Sequence, residues 1–335
     1  MAKGLSIITV TYNSREYILE CLASIWKQET KTDFEVIVFD NASGDGTAGI
    51  IKKDFSNTTL IESEKNTGIC MGNNEGAKAS KYDYLLFLNP DTKLPEGSID
   101  NLYKAISEYE NEGVILIPEQ RDYDTGEFLH CGLGLDVLGF PINQGRGKNY
   151  FYADGAAILM SKKNFMDIGM FDEDLFLIYD DIDLSWRARL FGLEIKLLDQ
   201  VYILHKRGHT IDKDKVGGEH GFSTSVYRRY YGERNSLRIL LKNYSLSNLI
   251  WTIPCLILIS ISEIIVYLVL GNFALIKAYG EAYLWNVRNF YSTLQERRWI
   301  QKKRTVSDKL IMRHMYKGSG KLRLLSQVGI PEVSR

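Results

Sequence analysis

The chain lacks the marks of several common protein classes. Its four cysteines, Cys21, Cys70, Cys131 and Cys255, are scattered with no CxxC pair, and its five histidines complete no metal-ligand spacing. That excludes a zinc ribbon or finger and leaves no disulfide framework. A reduced, cytosolic compartment is the simplest expectation. No internal repeat or low-complexity segment is visible, so a solenoid is not expected. No GxGxxG and no Walker-type glycine loop is present, so neither a dinucleotide fold nor a P-loop is indicated. The first residues have no signal-peptide anatomy; they run directly into an apolar segment, Leu5–Val10.

What is present is a chain of 335 residues, 45% hydrophobic and 25% charged, ordinary values for a globular protein, and long enough for one large domain plus an appendage or for two domains. The net charge of −1 conceals an asymmetry. Between Lys277 and Arg323 there are twelve Lys or Arg against three acids, while the residues before Lys277 carry 28 basic and 38 acidic side chains. An acidic body with a basic tail suits an anionic surface, either lipid head groups or nucleic acid.

The organising stretch is Leu85-Leu86-Phe87-Leu88-Asn89-Pro90-Asp91-Thr92. An unalternating apolar run reads as a strand buried on both faces, and Pro90 ends it because it has no N–H to donate. The polar end is open to two readings. It is a strand-ending turn, or it holds Asp91 at the rim where open α/β sheets bind ligands. A carboxylate there is a hard oxygen ligand suited to Mg²⁺ or Mn²⁺ with bound phosphates.

Two earlier apolar segments end the same way. Leu5–Val10 runs into Thr11-Tyr12-Asn13, and Phe34–Phe39 runs into Asp40-Asn41-Ala42-Ser43-Gly44-Asp45-Gly46-Thr47. Helices are expected between the strands: one bearing Tyr17, Ile18, Cys21, Leu22 and Ile25 with Ser14 as N-cap, one from about Thr47 to Phe55, and a small-residue helix after Gly68. The alternation of strand and helix predicts a mostly parallel sheet with crossover helices. The stretch Asn66 to Gly76 offers backbone N–H groups at a helix start, which would bind an anion, or its glycines serve close packing.

These motifs, in this order and spacing, resemble those of family 2 glycosyltransferases, and in particular a rhamnosyltransferase-like branch: Thr9-Val10-Thr11-Tyr12-Asn13, Asp40-Asn41-Ala42-Ser43-Gly44-Asp45-Gly46-Thr47, Asn66-Thr67-Gly68 and Asn89-Pro90-Asp91-Thr92. The resemblance covers roughly residues 4 to 240. It implies a GT-A fold, a mixed, mostly parallel sheet with flanking helices, a UDP- or dTDP-linked sugar donor and a divalent cation, Mg²⁺ or Mn²⁺. By the same resemblance Asp40 accepts from the N3–H of a pyrimidine, and Val10 and Tyr12 line base and ribose. Asn13, Asn41, Asn66, Gly68, Asn73 and Asn89 belong to the donor site, and Asp91 meets the metal. The family's metal motif is Asp-x-Asp; Asn89 at its first position removes one carboxylate.

A second chemical centre follows at Tyr179-Asp180-Asp181-Ile182-Asp183. Acids in a first turn favour the helix dipole, yet three carboxylates in four residues also repel one another and raise pKa values toward those of a base. The family match makes Asp181 the general base of an inverting transfer and Asp180 its neighbour. His205, at the end of an apolar run, would contact metal or diphosphate, with His209 in reserve. Residues 120 to 150, including Arg146 and Lys148, read as loops over the acceptor side. The stretch from Lys213 to Phe222 is a candidate lid.

From Leu249 to Leu270 the chain is nearly all apolar, long enough as a helix to span about 33 Å. Glu263 near its middle and basic flanks on both sides favour an interfacial segment over a span; a buried homo-oligomer interface is the other use of such a run. The tail cations Lys277, Arg297, Arg298, Lys302, Lys303 and Arg304 would then face anionic lipid, with no nucleic-acid partner. Gln295-Glu296-Arg297-Arg298-Trp299 has the Gln-x-x-Arg-Trp pattern of processive synthases but lies far beyond Asp181. The expected domains are 1–240 catalytic, 241–280 apolar and 281–335 a basic tail. The expected function is transfer of rhamnose or another hexose to a lipid-linked or surface glycan at the cytoplasmic membrane face. A non-catalytic nucleotide-sugar-binding subunit is the alternative.

Overall fold

A computed structural model describes residues 2–110, 112–129, 134–142, 150–206, 223–329 and 332–333. It divides into two units: residues 1–132, 145–185 and 193–213 form the first, and residues 133–144, 186–192 and 214–335 the second.

The first unit is built by alternation of apolar strands and one-faced helices. β1 (Ala2–Thr11), α1 (Arg15–Trp26), β2 (Phe34–Asp40), α2 (Thr47–Asp54), β3 (Thr59–Glu62), α3 (Gly68–Ala79) and β4 (Tyr82–Leu88) follow in order. Then come β5 (Thr92–Lys93), α4 (Ser98–Ser107), β6 (Val114–Asp122) and β7 (Phe128–Leu129). The short β8 (Gly134–Leu135) and β9 (Pro141–Ile142) pair with each other in the second unit. β10 (Ala157–Ser161), α5 (Lys162–Asp167), α6 (Asp180–Leu190) and β11 (Glu194–His205) complete the series. The sheet order is β3-β2-β1-β4-β10-β6-β11-β5. β1 to β4 pair in parallel, as crossover helices require. β10 is inserted antiparallel between β4 and β6, so the sheet is mixed. Leu85 to Leu88 are buried, as their lack of alternation implies.

Register sets the rim. Thr11 lies beside Asp40, and Phe87 beside Ile8, so the tips of β1, β2 and β4 end at one level. The antiparallel β10 starts at that level, with Ala157 opposite Leu88. β11 ends there, with His205 opposite Thr92 of β5.

The second unit is helical. Its helices are α7 (Val226–Asn243), α8 (Leu246–Val269), α9 (Phe273–Arg288), α10 (Phe290–Lys303), α11 (Asp308–Ile311) and α12 (Gly320–Val328). α7 packs on α9 and α10, and α8 on α9. α8 is arranged inside out. Its buried side chains are Thr252, Leu256, Ser260 and Tyr267, spaced by four or seven, while Ile250, Ile257, Leu258, Ile261, Ile265 and Leu268 are exposed. Glu263 falls on the inward stripe. Its carboxylate accepts from Tyr279 and forms ion pairs with Arg229 and Lys321, which also hold Glu233. The acid in the apolar run therefore has its counter-charges within the unit.

Two sequence expectations need correction here. Ser14 precedes α1 but does not cap it with its side chain; its hydroxyl donates to the Tyr12 carbonyl, stiffening the β1 tip instead. Arg297 is no surface cation: it donates to the carbonyls of Leu241 and Tyr244, closing the end of α7, and Trp299 packs on Phe191. Of the Gln-x-x-Arg-Trp pattern, Trp299 alone is packed, while Gln295 and Arg298 are exposed. Arg304 is likewise paired, with Asp308.

Candidate active site

The tips of β1 and β2 are laced together. Asn13 takes a left-handed conformation, its amide accepts from Gly44 N–H at 2.8 Å, and its own N–H donates to Ser43 Oγ at 2.9 Å. The Asp40 carboxylate accepts from Ser43 N–H with Oδ2, while Oδ1 is buried and has no hydrogen-bond partner among the described residues. A buried carboxylate oxygen left open costs free energy unless a ligand meets it. Tyr12 beside it is exposed.

Asn41 holds the next loop. It accepts from the N–H and hydroxyl of Thr67 and donates to the Gly68 carbonyl. Asn66 Oδ1 takes the Gly68 N–H, and Ile69 N–H donates to the Phe176 carbonyl. The N–H groups of Gly68 and Ile69, the first two of α3, are thus taken by the protein rather than offered to an anion. The glycines serve packing instead. Gly68 has φ +86° and lies so close to Phe176 that a Cβ would stand 2.5 Å from its carbonyl oxygen. Gly76 gives the same closeness to Ile8. Val10 is pressed under Gly72 rather than facing open space. Asn73 is buried and forms no side-chain hydrogen bond with a described residue, whereas Asn74 is locked to Phe171 by bonds in both directions.

At the β4 tip Asn89 N–H donates to the Ala156 carbonyl, which joins this turn to the Asp154–Ala156 loop. The Asn89 side chain forms no hydrogen bond with a described residue. Asp91 and His205 are 2% and 8% exposed, with Asp91 Oδ1 3.4 Å from His205 Nε2. His205 Nδ1 lies 3.1 Å from Gln120 Oε1, itself fully buried. With the amide so assigned, Nδ1 carries a proton, and in the neutral ring the Nε2 lone pair turns toward the carboxylate. In that form imidazole and carboxylate together offer two donors to a divalent cation, with the second nitrogen fixed by a partner. Among the described residues no group of three His, Cys, Asp or Glu side chains could hold a metal. One carboxylate and one imidazole suit Mg²⁺ or Mn²⁺ completed by water and phosphate oxygens.

The acidic centre sits on strained backbone. Phe176, Ile178 and Tyr179 all have φ between 63° and 72° immediately before Asp180 opens α6. Such residues cost free energy and persist only where the surrounding structure over-determines them. Asp181 Oδ2 accepts from Gly155 N–H at 3.1 Å and Oδ1 from Ile182 N–H at 2.7 Å. Burial, then the charges of Asp180 and Asp154, hold the Asp181 carboxyl well above the usual carboxylate range. Asp180 is raised for similar reasons, burial first and then Asp183 and Asp154.

The structure brings Asp91 together with His205, Asn41 with Asn66 and Gly68, and Asp181 with the loop beside Asn89. Sequence reasoning missed Asp154 and Gln120. Asp154 opens the Asp-Gly-Ala turn into β10 and repeats the polar-tip pattern, so it was findable; Gln120 lies inside a strand and carries no signal. His209, Arg146, Lys148 and the segment 213–222 lie outside the described residues.

Residues 6–169, which contain the donor loops and the β4 tip, match the model for glycosyl transferase family 2. The chain carries a family 2 glycosyltransferase domain. An uncharacterized glycosyltransferase of Bacillus subtilis is 24% identical over 60% of the chain and 64% of its own length. An N-acetylglucosaminyl-diphospho-decaprenol L-rhamnosyltransferase of Mycobacterium tuberculosis is 25% identical over 68% of the chain and 84% of its own. The crystal structure of GalNAc-T7 with UDP, GalNAc and Mn²⁺ aligns with a TM-score of 0.55 at 13% identity, covering 71% of this chain and 48% of that one. This last likeness shows the fold, which is of the GT-A type. The chain thus spans less than two thirds of the length of the Bacillus relative.

Proposed function

We propose that the chain is an inverting glycosyltransferase acting on a nucleoside-diphosphate sugar, with Asp181 as its general base. The observation that carries this reading is the Asp91–His205 pair at the strand rim, with Asp181 hydrogen-bonded to the loop that meets the neighbouring β4 tip. The acceptor hydroxyl attacks the anomeric carbon as its proton passes to an Asp181 carboxylate oxygen. The bond from that carbon to the diphosphate breaks, and the nucleoside diphosphate leaves. A divalent cation, Mg²⁺ or Mn²⁺, held by Asp91 and His205 would supply counter-charge for the leaving diphosphate. The raised pKa makes the ionised Asp181 a stronger proton acceptor than an ordinary carboxylate.

The open Asp40 Oδ1 supports a uracil or thymine donor, because a carboxylate accepts from an imide N–H. Asn13, Asn41, Asn66, Gly68, Asn73 and Asn89 shape the same site, with Val10 packed beneath it and Tyr12 beside it. The name of the mycobacterial relative supports a rhamnosyl or other hexosyl donor and a lipid-linked acceptor. The apolar outer face of α8, the one described helix long and apolar enough to cross a membrane, supports a peripheral or monotopic position on the cytoplasmic membrane face.

Incubation with UDP-, GDP- and dTDP-sugars, with and without Mn²⁺, tests the reading through donor hydrolysis and thermal shift. Asp181→Asn should lower turnover by about 10²–10⁴-fold while keeping the donor-induced thermal shift. Full turnover in that variant would remove Asp181 from its role. Donor binding with no turnover on any acceptor would leave a binding subunit, for which Asn89 in place of an acid is the motive.

A further inference from the structure

Where α7 turns into α8, the second unit has an open cleft of about 800 Å³. Its lining includes Ser245 and Asn248 from the start of α8, and Arg304, Lys309, Arg313 and Lys317 from the chain after α10. Arg304 is spent on Asp308, the cleft's one acid. Asp308 is also held by the Ser245 N–H at 2.8 Å and the Asn248 amide at 2.6 Å. Lys309, Arg313 and Lys317 are exposed and form no hydrogen bond or ion pair with any described residue. Four residues on, Lys321 behaves oppositely, its side chain 11% exposed and paired with both Glu233 and Glu263. The cleft therefore carries three cations beyond what its acid neutralises.

We propose that this cleft binds the phosphate of an anionic phospholipid headgroup. The assignment rests on the membrane reading given above and adds to it a defined contact. A small free anion in an open cleft would gain only screened attraction from three solvated side chains. A lipid adds apolar burial, and the means for it adjoin the cleft. Leu246 and Ile250, in the first turns of α8, are 70% and 77% exposed, and Trp251, also exposed, follows them with its indole N–H on Asn248 Oδ1. Cationic side chains beside exposed apolar ones are complementary to a phosphate above an acyl chain.

The test compares two triple variants of the full chain on phosphatidylglycerol-containing and on pure phosphatidylcholine vesicles. Lys309→Gln, Arg313→Gln and Lys317→Gln together should weaken binding to the anionic vesicles by about a hundredfold, from about a fivefold contribution per cation, and leave binding to neutral ones unchanged. Arg298→Gln, Lys302→Gln and Lys303→Gln remove three exposed cations outside the cleft and should cost about tenfold or less. Equal losses in the two variants would mean diffuse attraction and overturn the cleft. A cleft variant that binds like wild type would overturn it while leaving the membrane reading intact. A wild type that ignores both vesicles would overturn both. Millimolar inorganic phosphate that raises the thermal midpoint of wild type, and abolishes its vesicle binding, would reassign the cleft to the free ion and overturn the lipid.

Discussion

The two units bury charge in opposite ways. In the helical unit Arg229, Lys321, Glu233 and Glu263 neutralise one another, two cations against two acids, with Tyr267 and Tyr279 donating or accepting around them. In the sheet unit the buried acids are unbalanced. Asp40 keeps an open oxygen, Asp91 stands 3.4 Å from the His205 imidazole, and Asp180 and Asp181 repel each other. A closed set of charges holds elements together, whereas an open set raises the energy of the empty site and lowers it when a ligand arrives. The direction of the pKa shifts expresses the same contrast. Burial works against ionisation of Glu233, but Lys321 and Arg229 overcome it and its pKa falls; at Asp181 burial and like charge act together and it rises.

The largest expected break in this comparison is Glu233→Gln. Removing one member of the closed set leaves Arg229 and Lys321 under-compensated and should cost about 3–5 kcal/mol in urea unfolding. Asp181→Asn should leave stability unchanged or raise it at neutral pH. A Glu233→Gln protein as stable as wild type would end the contrast. The linkage signs differ as well. The lowered pKa of Glu233 gives stability that is present above its unfolded value and is lost as pH falls through the folded one. The raised pKa values of Asp180 and Asp181 take stability away as pH rises past the ordinary carboxylate range.

Next in size is the metal pair. Gln120→Leu removes the acceptor that orients His205, and Mn²⁺ affinity in the presence of UDP should fall by about 10–100-fold. Electron paramagnetic resonance of free Mn²⁺ reads this without turnover, and unchanged affinity would show that His205 needs no such partner. Asp40→Asn should weaken UDP binding by about tenfold or more through loss of a charged hydrogen bond, with little change in thermal midpoint; calorimetric titration with UDP checks it. The smallest effect concerns pH. Asp154→Asn removes a negative charge that raises the Asp181 pKa, so the ascending limb of kcat/KM against pH should move to lower pH. A limb that stays in place would exclude Asp154 from the electrostatics of the base.

Much of the sheet unit was legible because its strands are unalternating apolar runs with polar ends. Leu85–Leu88 before Asn89-Pro90-Asp91 is buried strand and rim turn, as a proline without an N–H requires. The antiparallel insertion of β10 was not legible, since Ala157–Ser161 reads the same in either direction. The start of α3 was read as a possible anion site because glycines before a helix usually leave N–H groups free. Here Asn41, Asn66 and Phe176, brought in by tertiary folding, take those groups.

The sequence by itself determined which residues end the strands, and so which carboxylates and amides can reach a common rim. It also determined the apolar length of α8 and the surplus of cations after it. Only the tertiary structure decided which polar groups are satisfied. Glu263 counted against a membrane span, yet it is neutralised by Arg229 and Lys321, which stand far from it in sequence. Arg297 looked like a surface cation and closes a helix end, while Lys309, Arg313 and Lys317 remain uncommitted. Hydrogen bonds and ion pairs depend on distances of a few ångströms between residues remote in the chain, which composition and periodicity do not encode.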